Sequence, residues 1–166
     1  MQTSSRSLPG GRAGFTLPEL LIVIVIIGIT ARLAIPAFTA MMTSGRLSGA
    51  ASVLQQDLQY ARLQAIRRGA PAYFRTSYST PTTYTITIES GGSVIRTVKT
   101  GSLSEFGKNT TVAAPSDVIA FSTRGLLLTP QLGSATAYAK VTITRGTKTD
   151  SVLVYQNGRI YHAPSN

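Results

Sequence analysis

Three hydrophobic patterns follow one another along the chain, and each predicts a different element. Residues 15–38 form a 24-residue run that is almost wholly apolar, and residues 20–31 carry no charge. At 1.5 Å per residue, a helix of that length reaches across the roughly 30 Å hydrocarbon core of a bilayer, so the run predicts one membrane-spanning helix. It is too long and too uniformly apolar for a buried helix of a soluble core. Next, Leu47, Ala51, Leu54, Leu58, Ala61 and Ala65 recur at 4-3-4-3-4 spacing, which aligns them on one helical face. Gln55, Gln56, Gln59, Arg62 and Arg68 take the other faces, and Gly69 followed by Pro71 marks the end of that helix.

Beyond Gly69 the composition turns to Thr, Val, Ile and Tyr, with a period of two. Residues 83–89 alternate, with Tyr84, Ile86 and Ile88 on one face, and Gly91-Gly92 turns them into a strand at 93–99. Further strands are expected at 118–122 and 138–145. A last hairpin, 151–156 with 159–162, closes on Asn157-Gly158, a strong short-range turn signal. The expected fold class is α+β: a long N-terminal helix, its first half transmembrane, packed through its second half on a mostly antiparallel sheet head. The boundaries fall at 15–38 for the apolar half-helix, 39–69 for the amphipathic half and 70–166 for the head.

Four residues make the apolar run unlike a plain anchor. Pro18 suits the first helical turn, where an amide would lack a partner anyway. Gly28 loosens the helix, Arg32 needs the outer interface or a carboxylate, and Pro36 is expected to kink the helix or open it locally. Glu19 stands at the entrance to the run. A charged side chain at the centre of a membrane helix costs about 2.5–3.5 kcal/mol even on lenient scales, so this carboxylate calls for a cation.

Residues 1–13 carry Arg6 and Arg12, no acid, and much Ser and Gly. That is a targeting layout, and the basic leader would remain cytoplasmic while the chain that follows is sent outward. A secretory signal is cut after its apolar stretch, whereas the small residues here, Ala13-Gly14, lie before it. Cutting there removes 1–14 and leaves the apolar run on the mature protein.

"GFTLPELLIVIVIIGI" followed by "AIPAF" resembles the N-terminal signature of the type IV pilin superfamily, which includes the pseudopilins of type II secretion. The resemblance implies that a prepilin peptidase cuts between Gly14 and Phe15 and N-methylates the amine of Phe15. It implies an inner-membrane, single-pass intermediate with the head on the periplasmic side, which then joins other subunits in a pilus or pseudopilus. There Glu19 meets the Phe15 amine of a neighbour, a charge that methylation preserves. A buried ion pair is best attested as a register device, and it would set register in an otherwise featureless helix bundle. Pro18 departs from the bulky aliphatic usual before that Glu.

Charge and candidate chemistry narrow the reading further. The chain has 166 residues, no cysteine and one histidine; its charge of +10 falls to +8 without Arg6 and Arg12. Six scattered acids and a lone His162 make no catalytic or metal constellation, so no enzymatic activity, cofactor or metal is expected, and His162 reads as a solvated edge residue. "LQQDLQYARLQAIRRGAPAYF", "AFSTRGLL" and "VYQNGRIYH" resemble the FimT/GspH-type group of minor pilins and pseudopilins. In the FimT branch a C-terminal Gly-Arg-x-Arg captures DNA for natural transformation. The matching positions here are Gly158, Arg159, Ile160 and Tyr161, so the second guanidinium is missing. Arg159 would contact phosphate, Tyr161 would stack or donate, and Lys148 is the candidate replacement charge. The plain alternative is that Asn-Gly only turns the chain, Arg159 is solvated and Tyr161 packs. The other machine, a type II secretion pseudopilus without DNA binding, fits the same leader, helix and Glu19.

Overall fold

The structure, a computed structural model, describes residues 14–77, 79–107, 109–128 and 138–164. Of the expected leader only Gly14 is among them. Helix α1 spans Leu17–Arg68, 52 residues. It opens where the Thr16 carbonyl accepts the Leu20 amide at 3.2 Å. Glu19 in its first turn and Arg67 and Arg68 in its last match the helix dipole. Pro36 lies inside the helix, whose span runs on past it. Its ring nitrogen has no hydrogen to donate along the helix, and the Thr39 hydroxyl donates to the Pro36 carbonyl at 2.9 Å.

The chain divides into two compact units, Met1–Ala40 and Met41–Asn166. In the first, no described residue is buried: Leu20, Ile24, Ile27 and Ile29 are all more than half exposed. The helix is long and apolar enough there to cross a membrane.

In the second unit α1 buries one face. Leu47, Ala50, Ala51, Leu54, Leu58, Ala61 and Ala65 are all buried, the expected stripe plus Ala50. The helix ends on Gly69, whose φ of +60° suits a residue without a Cβ. Eight strands follow: β1 (Ala72–Thr76), β2 (Thr83–Ser90), β3 (Ser93–Ser102), β4 (Thr110–Ala113), β5 (Val118–Phe121), β6 (Tyr138–Arg145), β7 (Lys148–Tyr155) and β8 (Ile160–Ala163). They form two four-stranded antiparallel sheets, ordered β3-β2-β1-β5 and β4-β6-β7-β8. Phe74, Tyr84, Ile86, Ile119 and Phe121 of the first sheet share one core with Val141, Ile143, Val152 and Val154 of the second and with the helix stripe.

The β2–β3 hairpin and β6 lie where the sequence places them, although β3 extends to Ser102. β7 starts three residues earlier than expected because Arg145 already pairs with Lys148 across Gly146-Thr147.

Buried polar groups tie α1 to the first sheet. Asp57, only 5% exposed on the helix, accepts from the Tyr84 hydroxyl and from Lys99 Nζ, both at 2.5 Å. Burial first, and then the adjacent carboxylate, push the Tyr84 hydroxyl well above its ordinary pKa. Gly101 pairs with Tyr84 on the neighbouring strand, and a Cβ at Gly101 would overlap the tyrosine ring.

Candidate functional site

Two places carry functional side chains, one in each unit. At the N-terminal end, Phe15 is 81% exposed and precedes the helix, and Glu19 sits in the first turn. Among the described residues Glu19 makes no ion pair. The nearest described cation along the chain, Arg32, is thirteen residues on, about 20 Å along a helix. Neither charge of this apolar half-helix has an ion-pair partner among the described residues.

The second place is a corner of the head where three elements converge. The Ser122–Gly125 turn, the β7–β8 turn and the polar face of α1 meet at Arg62, whose Nε donates to the Gly125 carbonyl at 3.0 Å. Gly158 has a φ of +78°, and a Cβ on it would overlap that same carbonyl and crowd the Arg62 guanidinium. Glycine is thus required at Gly158 both for the turn and for this close approach. Gln55 Nε2 donates to the Ile160 carbonyl at 3.3 Å, which ties the β8 edge to the helix. The result is an open pocket of about 370 Å³ lined by Gln59, Arg62, Leu63, Arg159, Ile160 and Tyr161. The Arg159 guanidinium lies 5.1 Å from the centroid of the Tyr161 ring, at cation–π range.

The structure therefore brings Arg159 and Tyr161 together and places Lys148 elsewhere. Lys148 opens β7, whereas Arg159 follows its far end, and eight strand residues span about 26 Å. Lys148 Nζ donates to the Ser44 hydroxyl at 2.7 Å, beside a separate pocket that also includes Leu47, Ser48 and Asp150. The cation beside Arg159 is Arg62, which the sequence pattern assigned only to the polar face of the helix.

His162 is not the solvated edge residue expected from sequence. Its Nε2 lies 2.8 Å from Asp150 Oδ2, and its side chain is 21% exposed. The carboxylates of the head are largely occupied: Asp57 by Tyr84 and Lys99, Glu89 by Arg75 and Thr87, Asp150 by His162 and the Ser151 amide, and Asp117 by Thr76. Residues 41–166 contain 13 basic against 5 acidic residues, a net of +8. With most acids engaged internally, the surface field is dominated by the remaining cations. Among the described residues no group of three or more His, Cys, Asp or Glu is placed to hold a metal.

Residues 50–158 match the family model described as type II transport protein GspH, and residues 10–31 match the prokaryotic N-terminal methylation motif. No curated protein matches the chain. Among solved structures, the type IV minor pilin FimU of Pseudomonas aeruginosa (strain PAO1) is similar at 20% identity and a TM-score of 0.58, covering 72% of this chain and 90% of that one. The minor pseudopilin EpsH from the type 2 secretion system of Vibrio cholerae is similar at 12% identity and a TM-score of 0.53, covering 72% and 97%. At these identities the two structures share the fold: a helix backed by antiparallel sheets.

Proposed function

The chain belongs to the GspH family, and from that premise we propose that it is a minor pilin or pseudopilin, cut between Gly14 and Phe15 and assembled through residues 15–38 into a pilus or secretion pseudopilus. The observation that carries this reading is the first unit itself. Among the described residues its apolar helix buries nothing internally and holds in its first turn one carboxylate without an ion-pair partner. Lipid satisfies the apolar surface before assembly and other subunits satisfy it afterwards; the amine of a neighbouring subunit's processed N-terminus satisfies Glu19. The subunit performs no chemistry, and the prepilin peptidase acts upon it.

Intact mass of the protein co-expressed with a prepilin peptidase tests the processing step. The expected product begins at Phe15 and carries one added methyl group. A full-length, unmethylated chain would sink the assignment of Gly14 and Phe15.

A second, finer reading concerns the head corner. We infer that Arg62, Arg159 and Tyr161 contact DNA, and what supports it is the convergence of two guanidinium groups and an aromatic ring on one pocket of residues 41–166, whose net charge is +8. Arg62 stands in place of the second arginine that the Gly158-Arg159-Ile160-Tyr161 segment lacks. The test is binding of the full mature chain, in non-ionic detergent, to double-stranded DNA across a salt series. Affinity that falls steeply with salt and with Arg159→Ala supports a DNA-capturing subunit. Absence of binding at low salt leaves the secretion pseudopilin.

A further inference from the structure

The sheet β4-β6-β7-β8 has two unlike faces. Val141, Ile143, Val152, Val154 and Ile160 point into the core. The strand alternation puts Tyr138 and Lys140 of β6, Leu153 and Tyr155 of β7, and Tyr161 of β8 on the opposite face. The register then arranges them in two rows. Tyr138 lies opposite Tyr155, while Lys140, Leu153 and Tyr161 follow one another across three strands. The rings touch in series: Tyr138 to Tyr155 at 5.6 Å between centroids and tilted, Tyr155 to Tyr161 at 5.6 Å and edge-on. Arg159 closes the series over Tyr161, and Lys140 flanks it at the next row.

Two features distinguish this face from ordinary packing. None of its rings is fully buried, and Tyr161 is 40% exposed, so ring surface is available to a ligand. The Asp150–His162 pair lies at inward-facing positions of the same strands, so that carboxylate faces the other side of the sheet. The face is also continuous, through Arg159 and Tyr161, with the pocket that holds Arg62.

We propose that this tyrosine row is a stacking platform for single-stranded nucleic acid, with Arg62, Arg159 and Lys140 holding the phosphate backbone and Tyr161 stacking on an unpaired base. The inference rests on the DNA-contacting reading of the Arg159 corner and specifies its ligand. A duplex keeps its bases stacked internally and offers this surface only phosphates. A single strand can offer both bases and phosphates, and aromatic rings interleaved with cations answer both. A neutral polysaccharide could lie on the rings but would leave the cations without a partner.

The chain contains no tryptophan and seven tyrosines, so its intrinsic fluorescence reports on tyrosine directly. The full mature chain in non-ionic detergent would be titrated with a labelled oligo(dT) single strand, a duplex of equal length and a neutral glucan, following label anisotropy and tyrosine quenching. The single strand is expected to bind about tenfold more tightly than the duplex and to quench tyrosine emission. Tyr161→Leu, which keeps an apolar side chain at an exposed position, should remove about tenfold of single-strand affinity and a clearly smaller share of duplex affinity. Lys140→Gln, at an exposed position of β6, should weaken both forms equally and lower the salt slope by about one. Equal affinity for the two forms, with Tyr161→Leu silent and its melting temperature unchanged, would overturn stacking and leave the polyanion reading standing. Failure of both nucleic acids to bind would overturn both readings, and glucan binding without oligonucleotide binding would replace them.

Discussion

The two halves of helix α1 are built from similar apolar residues and meet opposite fates. Residues 17–40 expose Leu20, Ile22, Ile24 and Ile27, each by more than half, while Leu47, Leu54 and Leu58 are at most 4% exposed. Both content and arrangement separate the halves. The first half is apolar on every side, which no single packing partner could cover, and a lipid or multi-helix environment is the physical solution. The second half gathers its buried apolar residues in one stripe, leaves Leu63 and Ile66 exposed outside it and puts most of its Gln and Arg elsewhere, so one pair of sheets can cover it. Charge divides the same way. Three of the five acids in residues 41–166 are ion-paired within the chain, whereas Glu19 has no ion-pair partner among the described residues. One half of the molecule is finished by its own fold; the other, on the reading proposed above, by its neighbours.

The strongest way to break this comparison is to make one substitution in both halves. Leu54→Ala removes a fully buried side chain and should destabilise the head by about 2–5 kcal/mol, whereas Leu21→Ala should leave the melting temperature of the head unchanged. Thermal unfolding monitored by circular dichroism in detergent checks both. Next in size is Gly158→Ala, which forces a side chain into left-handed backbone and against the Gly125 carbonyl. A loss of about 2 kcal/mol is expected, with DNA affinity reduced alongside because Arg62 must move.

Tyr84→Phe sharpens the claim that the head satisfies its own charges. It deprives Asp57 of one of two partners and should cost about 1–2 kcal/mol at neutral pH. The sign of its pH dependence follows from the raised Tyr84 pKa. Below the ordinary tyrosine value of about 10 both folded and unfolded forms keep the proton; above it the unfolded chain releases the proton first, so stability falls as pH rises. Chemical unfolding from pH 8 to 11 should show a steeper decline in the parent than in Tyr84→Phe. The smallest effect separates two cations: Arg62→Ala should lower duplex-DNA affinity several-fold and flatten its salt slope, and Lys148→Ala, at the far end of β7, should change neither.

Local pattern carried much of this architecture. The six-residue stripe from Leu47 to Ala65 is buried as its spacing requires, and the paired glycines at 91–92 and the Asn157-Gly158 turn set their hairpins. β1 and β4 were not legible, because Ala72–Thr76 contains Arg75 and Thr110–Ala113 is four residues long, too short to display a period. The division of strands between two sheets also escaped the pattern, since β5 pairs with β1 across more than forty residues. The candidate site was half readable. Arg159 and Tyr161 are two positions apart on a strand and share a face by rule, but Arg62 joins them only through the folding of α1 against two distant turns. His162 was misread for the same reason: its partner, Asp150, is supplied by cross-strand register and not by neighbours in sequence.

The central claim, that residues 15–38 are completed by other subunits through Glu19, is tested most directly by filament incorporation of Glu19→Ala. Sheared filaments and membranes from cells expressing each form would be blotted for the subunit. The expected result is a variant that is cut after Gly14 and retained in the membrane yet lost from the filament fraction. Incorporation equal to that of the parent would contradict the account.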